Sequence, residues 1–247
     1  MNKNFMGKDG FQWFVGVVED RMDPKHLGRV KVRCLGYHTE DLIKLPTSDL
    51  PWAHPMNPIT SATVSGIGQT PLGVVEGTWV IGFFSDGSNA QQPIIMGTLP
   101  GVPSTLPVKD STKGFQDTSN AAYPRYTETD VNRLAVGDEE NPHSTLTLRK
   151  ADRNLAVGVA QIDGIFDGVA PIDPDLDVTS WDEPEIPYAA VYPSNHVYES
   201  EGGHIREMDD TPGFERIHER HASGTGYEIH ANGTRVSRIK GDNYELT

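Results

Sequence analysis

The sequence QWFVGVVED at Gln12–Asp20, followed after a turn by RVKVRCLG at Arg29–Gly36, decides the fold class of this chain. The first segment is rich in aromatic and β-branched residues, which is typical of a β-strand. The second segment alternates strictly, with valines on one face and basic side chains on the other, which indicates a half-buried strand. We expect the two segments to pair as an antiparallel hairpin and to open an all-β domain.

Two further strands are predicted at Thr78–Phe84 and Gln92–Thr98, joined by the turn-forming residues Ser85–Asn89. Several short strands without a helical period predict a small closed barrel. A loop from Thr39 to Glu76 separates the two strand pairs. Loops of this length in small domains are usually functional, so we expect a contact surface there.

The charge distribution separates the middle of the chain from its ends. The net charge is −14, and residues 101–184 contain 15 acidic but only 7 basic side chains. This acidic composition, rich in Pro, Ser and Thr, predicts an extended linker, in which Ser144–Arg149 alternates and could add a strand to a neighbour. A chain without a basic patch binds nucleic acid and anionic lipid surfaces poorly, so neither is expected as a partner.

The composition excludes several further classes of protein. The single cysteine, Cys34, cannot form an intrachain disulfide or a Cys-based zinc cluster, and its place in the alternating strand predicts a buried core residue. The sequence contains no apolar stretch long enough for a transmembrane helix, and its N-terminus does not resemble a signal peptide.

Residues 196–247 return to β character in a repeating style, with the strongest turn signal at Asn232-Gly233. Each strand carries few apolar side chains, and a lone chain of this kind would expose long edges and bury little. A repetitive β-tract without its own core predicts oligomerisation. The predicted strands are His204–Met208, Phe214–His218, Gly226–Ala231, Arg235–Lys240 and Asn243–Leu246.

These segments resemble a known family, the T4-type phage baseplate central spike proteins (the tail lysozyme family), which are related to type VI secretion spikes. The strands at 13–33 resemble the N-terminal OB-fold of that family. Glu201–Ile205 and Asp209–Gly213 resemble the start of its trimeric β-helix needle. Further segments follow the order of the family between the barrel strands: Leu50–Trp52, Pro58–Ala62, Ser65–Gly68 and Val75–Thr78.

The resemblance implies an OB-fold barrel at 1–100, an extended acidic linker at 101–184 and the start of a trimeric β-helical needle, or β-prism, at 185–247. It implies a homotrimer in the tail baseplate of the virion, made in the host cytoplasm. The implied partners are a ring-forming baseplate hub protein and a spike-tip protein, with transient contact to the host outer membrane. The predicted hub-docking loop contains Trp52, Ile59 and Ile67, and the predicted trimer core contains Ile205, Met208, Ile217, Ile229, Val236, Ile239 and Leu246.

The sequence leaves open which strand faces point toward the trimer axis. Ile205 and Met208 have opposite parity along their strand, and so do Phe214 and Ile217, which allows a bulge or an inconsistent apolar stripe. It also leaves open how the needle ends, since no tip is evident before Thr247.

The resemblance does not carry an enzymatic activity to this chain. In T4 a lysozyme domain lies between barrel and needle, but the interval Gly101–Trp181 has neither the length nor the helical periodicity for one. Carboxylate pairs such as Asp138/Glu139 and Asp173/Asp175 lie in the acidic linker, where nothing would raise a pKa. We therefore predict no enzyme, no catalytic residue and no cofactor. The alternatives are a peptidoglycan-degrading tail enzyme with a reduced catalytic site and a type VI secretion spike.

The histidines of the last third, His196, His204, His218, His221 and His230, are not expected to bind a metal within one chain. Around a threefold axis a single histidine repeated three times could hold an ion, and this stays open. The glycines at 66, 68 and 73 predict turns, because no Lys-Ser/Thr follows them as in a phosphate-binding loop.

Overall fold

The computed structural model describes residues 11–101, 112–116, 130–136, 188–239 and 241–245. The chain divides into two compact units, Met1–Asp130 and Val131–Thr247. The predicted strand at Ser144–Arg149 lies outside the described residues.

The first unit is a closed barrel in the order β1-β2-β3-β5-β4. All neighbouring strands are antiparallel except β3 and β5, which run parallel. The prediction of a small closed barrel is therefore confirmed. The strands are β1 (Trp13–Asp20), β2 (Val30–Cys34), β3 (Trp52–Pro55), β4 (Trp79–Phe84) and β5 (Pro93–Thr98).

Strand β3 corrects the interpretation of residues 39–76 as one long loop. Trp52–Pro55 pairs with β2 on one side, with Ala53 opposite Val30, and with β5 on the other. A four-residue strand flanked by Pro51 and ending at Pro55 carries almost no sequence signal, and only its two long-range partners define it. Trp52 thus belongs to the barrel wall and not to a loop.

The barrel interior is apolar and closely packed. Gly82 stands where a Cβ atom would come within 2.1 Å of the Ile94 carbonyl oxygen, so β4 and β5 approach too closely for any side chain there. Cys34 is fully buried, as the alternation predicts. The core consists of Phe14, Val18, Val30, Val32, Cys34, Ala53, Val80, Phe84 and Ile95.

Strand β2 is buried on both faces, which corrects the expectation of a half-buried strand with basic groups in solvent. Arg33 is completely buried and donates from Nε and Nη2 to the two carboxylate oxygens of Glu19, at 2.6 and 3.1 Å. Arg33 also donates from Nη1 to the carbonyl oxygen of Thr39, at 2.5 Å, and from Nη2 to that of Leu45, at 2.8 Å. The outward face of the hairpin is therefore covered by loop backbone that the arginine holds in place.

Residues 112–116, hereafter the strap, close over this ion pair. Phe115 donates its backbone N–H to Glu19 at 3.1 Å. Gly114 lies so close that a Cβ atom would come within 2.1 Å of Arg33 Nε. Gly101 and Asp130 are also close in space, because they exchange two hydrogen bonds. The described pieces of the predicted linker up to Asp130 therefore pack with the barrel unit.

The second unit is a five-stranded antiparallel sheet in the order β10-β9-β8-β7-β6, with one helical turn, α1 (Arg133–Val136). β6 was not predicted, and residues 243–245 form no strand, contrary to the expectation for Asn243–Leu246. Both errors reflect weak apolar patterning in short strands. The strands are β6 (Asn195–Glu199), β7 (Ile205–Asp209), β8 (Arg216–Arg220), β9 (Gly226–Ile229) and β10 (Arg235–Arg238).

The described part of the chain is all-β apart from α1 and two short 3₁₀ turns, which confirms the predicted fold class. Among the residues that the structure describes, no helix is long and apolar enough to cross a membrane.

Candidate functional site

The sheet of the second unit has an outer face that carries an apolar row. Met208 lies opposite Ile217, and Ile217 lies opposite Ile229, so the three side chains cross β7, β8 and β9 in one line. Met208 is 46% and Ile217 43% exposed, and Ile229 is half-buried. Tyr198 and Tyr227 lie in the neighbouring line of side chains on the same face. We call Met208, Ile217 and Ile229 the outer row.

The inner face of the same sheet is buried but largely charged. Glu207 lies opposite His218, which lies opposite Glu228, and each of these side chains is at least 94% buried. Arg216, buried to 98%, donates to Glu207 and places Nη1 3.6 Å from a Glu228 oxygen. The apolar cluster on this face is small: Leu134, Tyr188, Ala190 and Ile205, with Val197 against it.

The structure distributes the predicted trimer-core residues over both faces. Met208, Ile217 and Ile229 form the outer row, whereas Ile205 is buried on the inner face and Val236 lies opposite Glu228 there. Ile239 follows β10 and is 48% exposed, and Leu246 lies outside the described residues. The parity conflict between Ile205 and Met208 is thus real, and it marks two faces of one regular strand rather than a bulge. The trimer core itself stays a prediction.

A second exposed surface lies on the barrel, in the segment between β3 and β4. Ile59 is fully exposed and Ile67 is 66% exposed, as a docking loop would require. Val64 and Leu72, which were not predicted, are also exposed, at 61% and 72%. Trp52 does not join them, because it stands in β3 with the Arg29 and Lys31 cations over its ring at 5.4 and 4.9 Å.

The sequence did contain a signal for this surface. Residues 50–75 include no Asp, Glu, Lys or Arg, although such residues make up 23% of the chain. At that average about six would fall in the segment, so an exposed stretch of this length without one is unusual. Charge depletion together with exposed apolar side chains is the composition of the centre of a protein–protein interface. We call residues 56–75 the uncharged loop.

The uncharged loop is held in shape by its own polar contacts. The Ser61 hydroxyl accepts the N–H of Gln69 at 2.8 Å and donates to its carbonyl at 3.2 Å, which closes residues 61–69 into a compact turn. At its base, Gly28 packs against Pro71, where a Cβ atom would come within 2.7 Å of the carbonyl oxygen. The apolar side chains are therefore presented from an ordered backbone.

The histidines do not form a metal site within the described ranges, where no group of three His, Cys, Asp or Glu side chains could hold an ion. His204 and His221 stack at 4.5 Å. Each Nδ1 accepts a backbone N–H, from Ala222 at 3.3 Å and from Ser223 at 3.1 Å. A neutral ring held in this way carries its proton on Nε2 and offers no lone pair there to a metal.

Within the described residues, the chain thus combines a small closed β-barrel that carries an ordered uncharged loop with a β-sheet that carries an exposed apolar row. The sequence profile described as the Gp5 N-terminal OB domain matches residues 36–170. The chain belongs to this family, and its barrel is an OB-fold. The profile match begins after β2, so the first two barrel strands extend the domain toward the N-terminus.

Two curated relatives are similar over longer spans. Protein Gp5 of Vibrio phage KVP40 is 41% identical over 271 aligned positions, which cover 98% of this chain. The pre-baseplate central spike protein Gp5 of Enterobacteria phage T4 is 41% identical over 159 positions, or 62% of this chain. The aligned part spans 61% of the KVP40 protein and 27% of the T4 protein, so the chain corresponds to only part of each relative.

Proposed function

We propose that this chain is a structural protein of a contractile phage tail baseplate, located in the virion, where three copies form the central spike. Membership of the Gp5 family and the name of the T4 relative, a pre-baseplate central spike protein, support this role. The outer row is the observation that carries it. A sheet whose buried face is charged and whose apolar row faces solvent gains burial only when another surface covers that row.

The proposed architecture assigns a task to each part of the chain. The barrel docks on the hub, the following segment connects, and the strands of the second unit begin a needle that three copies share. Stiffness would come from continuous backbone hydrogen bonding across copies, because each strand could unfold only if neighbouring strands were disrupted. Such a needle would act mechanically when the tail contracts and the host envelope is pierced, with a spike-tip protein as a further partner.

The uncharged loop is the proposed hub-docking surface. Ile59 and Ile67, with Val64 and Leu72 beside them, would enter an apolar surface of a ring-forming hub protein. A partner rich in basic or acidic groups is disfavoured, because the loop has no charge to pair with. This assignment retains two of the three predicted docking residues and replaces Trp52.

The proposal includes no enzymatic step. The described residues supply assembly surfaces, and the T4 relative is named as a central spike protein. A peptidoglycan-clearing assay with the purified chain tests this part: robust clearing would overturn the structural assignment in favour of a tail enzyme.

The trimer is tested by mass measurement in solution. Light scattering should give three times the chain mass for the wild type and a smaller assembly for the Met208→Asp/Ile217→Asp variant, since two buried carboxylates would prevent the outer row from being covered. Ile43→Asp is the control, because Ile43 is 84% exposed and belongs to the barrel unit. A wild-type monomer with an ordered second unit would contradict the proposed spike.

A further inference from the structure

Three of the four hairpins in the second unit are closed by the same tight turn. In each, the first residue donates its N–H to the carbonyl of the residue four positions on, at 2.7–2.9 Å. Its carbonyl accepts the N–H of a glycine three positions on that has positive φ. Such turns fix strand register locally. They span residues 200–204, 221–225 and 230–234.

The hairpin between β7 and β8 is closed differently. Its connection runs over residues 210–215, one residue longer than the other turns. Asp210, which would begin a tight turn, donates its N–H to the carbonyl of Ser194 at 3.1 Å instead. Thr211 and Phe214 make an internal turn that does not link the strand ends. The backbone of this connection therefore leaves the pairing of β7 with β8 less constrained than in the other three hairpins.

The same hairpin carries two of the buried polar contacts of the sheet. Glu207 on β7 accepts a hydrogen bond from Arg216 and faces His218 Nδ1 at 3.1 Å, both on β8. Asn195 on β6 donates to the same carboxylate at 3.4 Å. In the observed register Glu207 contacts Arg216 and His218 together.

Apolar patterning alone could not select this register. A slip by one residue exchanges the two faces and is rejected by burial, but a slip by two residues keeps each side chain on its face. After a two-residue slip an arginine would still oppose Glu207, yet His218 would oppose Ile205 or Asp209. The imidazole would then be a diagonal neighbour of Glu207, and its present 3.1 Å contact would be broken. Met208 and Ile217 would then no longer stand opposite each other.

We infer that Glu207, through Arg216 and His218, sets the register of the β7–β8 hairpin and thereby aligns the outer row. Buried ionic groups are seldom the most stabilising choice, and their best-attested use is to specify register. The register assignment stands without the proposed trimer; only its consequence for assembly rests on the proposed function.

Disulfide trapping in the full chain tests the register. Met208→Cys with Ile217→Cys reports the observed pairing, and Met208→Cys with Glu219→Cys or Glu215→Cys reports the two slipped pairings, scored within one chain by peptide mass. Cys34 can remain, because it is fully buried. The observed pair should form in preference by roughly tenfold or more, since a slip forfeits a hydrogen bond to a buried charged group.

A two-glycine insertion after Pro212 distinguishes a register that is set by the contacts of Glu207 from one that is set by the length of the connection between β7 and β8. If Glu207 and its partners set it, the observed disulfide persists despite the longer connection. A shift to a slipped disulfide would overturn the inference. The matched control is the same insertion after Asn232, in a hairpin closed by a tight turn, where the Tyr227→Cys/Ser237→Cys pair should decline. If the observed disulfide forms in both hairpins despite the insertions, this would also count against the inference. The register would then depend neither on the contacts of Glu207 nor on the tight turn.

Removing the ionic contacts gives the converse test. The variant Glu207→Leu/Arg216→Met/His218→Leu/Glu228→Leu keeps an apolar inner row, and such replacements are often tolerated. With the insertion after Pro212 it should lose the roughly tenfold preference for the observed pair. If it keeps that preference, the inference is wrong; if it fails to fold, the insertion in the wild type decides alone. A wild-type monomer that shows the expected disulfides would refute the trimer and not the register.

Discussion

The buried pair between Glu19 and Arg33 should be the most sensitive polar contact of the barrel. Four donors converge on the Glu19 carboxylate: Oε1 accepts Arg33 Nε and the Phe115 N–H, and Oε2 accepts Arg33 Nη2 and the Thr47 hydroxyl. In Glu19→Gln an amide NH₂ replaces one oxygen. At the Oε1 position it would face Arg33 Nε and the Phe115 N–H, and at the Oε2 position it would face Arg33 Nη2, while the Thr47 hydroxyl could turn to accept from it. The arginine would also remain charged and fully buried.

The expected cost follows from these contacts. Breaking a buried ion pair by removing one partner costs about 3–5 kcal/mol of unfolding free energy. The loss of one or two hydrogen bonds to charged groups, at about 1.5–3 kcal/mol each, gives a value of the same order. Glu76→Gln is the matched control, because the Arg21–Glu76 pair is 3.4 Å long and partly exposed. That substitution should cost at most about 1 kcal/mol.

Urea unfolding followed by tryptophan fluorescence measures both variants. A Trp181→Phe background leaves Trp13, Trp52 and Trp79 as reporters, all in barrel strands. The double variant Glu19→Leu/Arg33→Met should lose less stability than Glu19→Gln, since no buried charge is left unpaired. If Glu19→Gln and Glu76→Gln prove equally mild, the pair does not hold the strap and the loop as inferred.

Three further outcomes are expected. Ile59→Ser and Ile67→Ser should change barrel stability by less than about 0.5 kcal/mol, because both side chains are exposed, yet weaken binding to a hub protein in a pull-down with that partner; a large loss of stability would contradict their free exposure. The hydrogen bond from Arg29 holds the pKa of Asp23 well below its usual 3.8, so its stabilising effect is present above that pH and is lost as the pH falls toward the lowered pKa. Asp23→Asn should therefore be destabilised at neutral pH, with a difference from wild type that shrinks toward about pH 2 in unfolding midpoints; a constant difference would refute the linkage. Burial raises the pKa of the Cys34 thiol to about 12, so a thiol reagent should label it only when the barrel opens, and rapid labelling of the folded chain would show that the core is accessible.

The barrel was predictable where local pattern and burial agree. The aromatic, β-branched run at 12–20 and the alternation at 29–36 place β1 and β2 within a residue or two of their bounds. The same alternation put Arg33 in solvent, which is wrong, because its partner Glu19 and the covering backbone come from other parts of the chain. Period-two patterning assigns a side chain to a face, but it does not say whether that face is covered.

The exposed apolar surfaces were predictable in part for related reasons. Ile217 and Ile59 are apolar residues in polar surroundings, and the structure exposes both side chains. The sequence could not separate Ile205 from Met208, because the inner face is filled by charged groups and only the pairing with β8 shows which apolar residues remain outside. Glu207 gave no signal, since a single glutamate in a strand looks like a solvated one until Arg216 and His218 are seen beside it.

The pairing of Gly101 with Asp130 has a consequence for how such chains can change by recombination. These two residues are hydrogen-bonded to each other although 29 positions separate them in the chain, and the second unit begins at Val131. The covalent crossing between the units therefore falls at one short joint. A different module spliced in at Asp130–Val131 would disrupt no hydrogen bond described within the barrel, so the joint can accept a new domain without redesign of its neighbours.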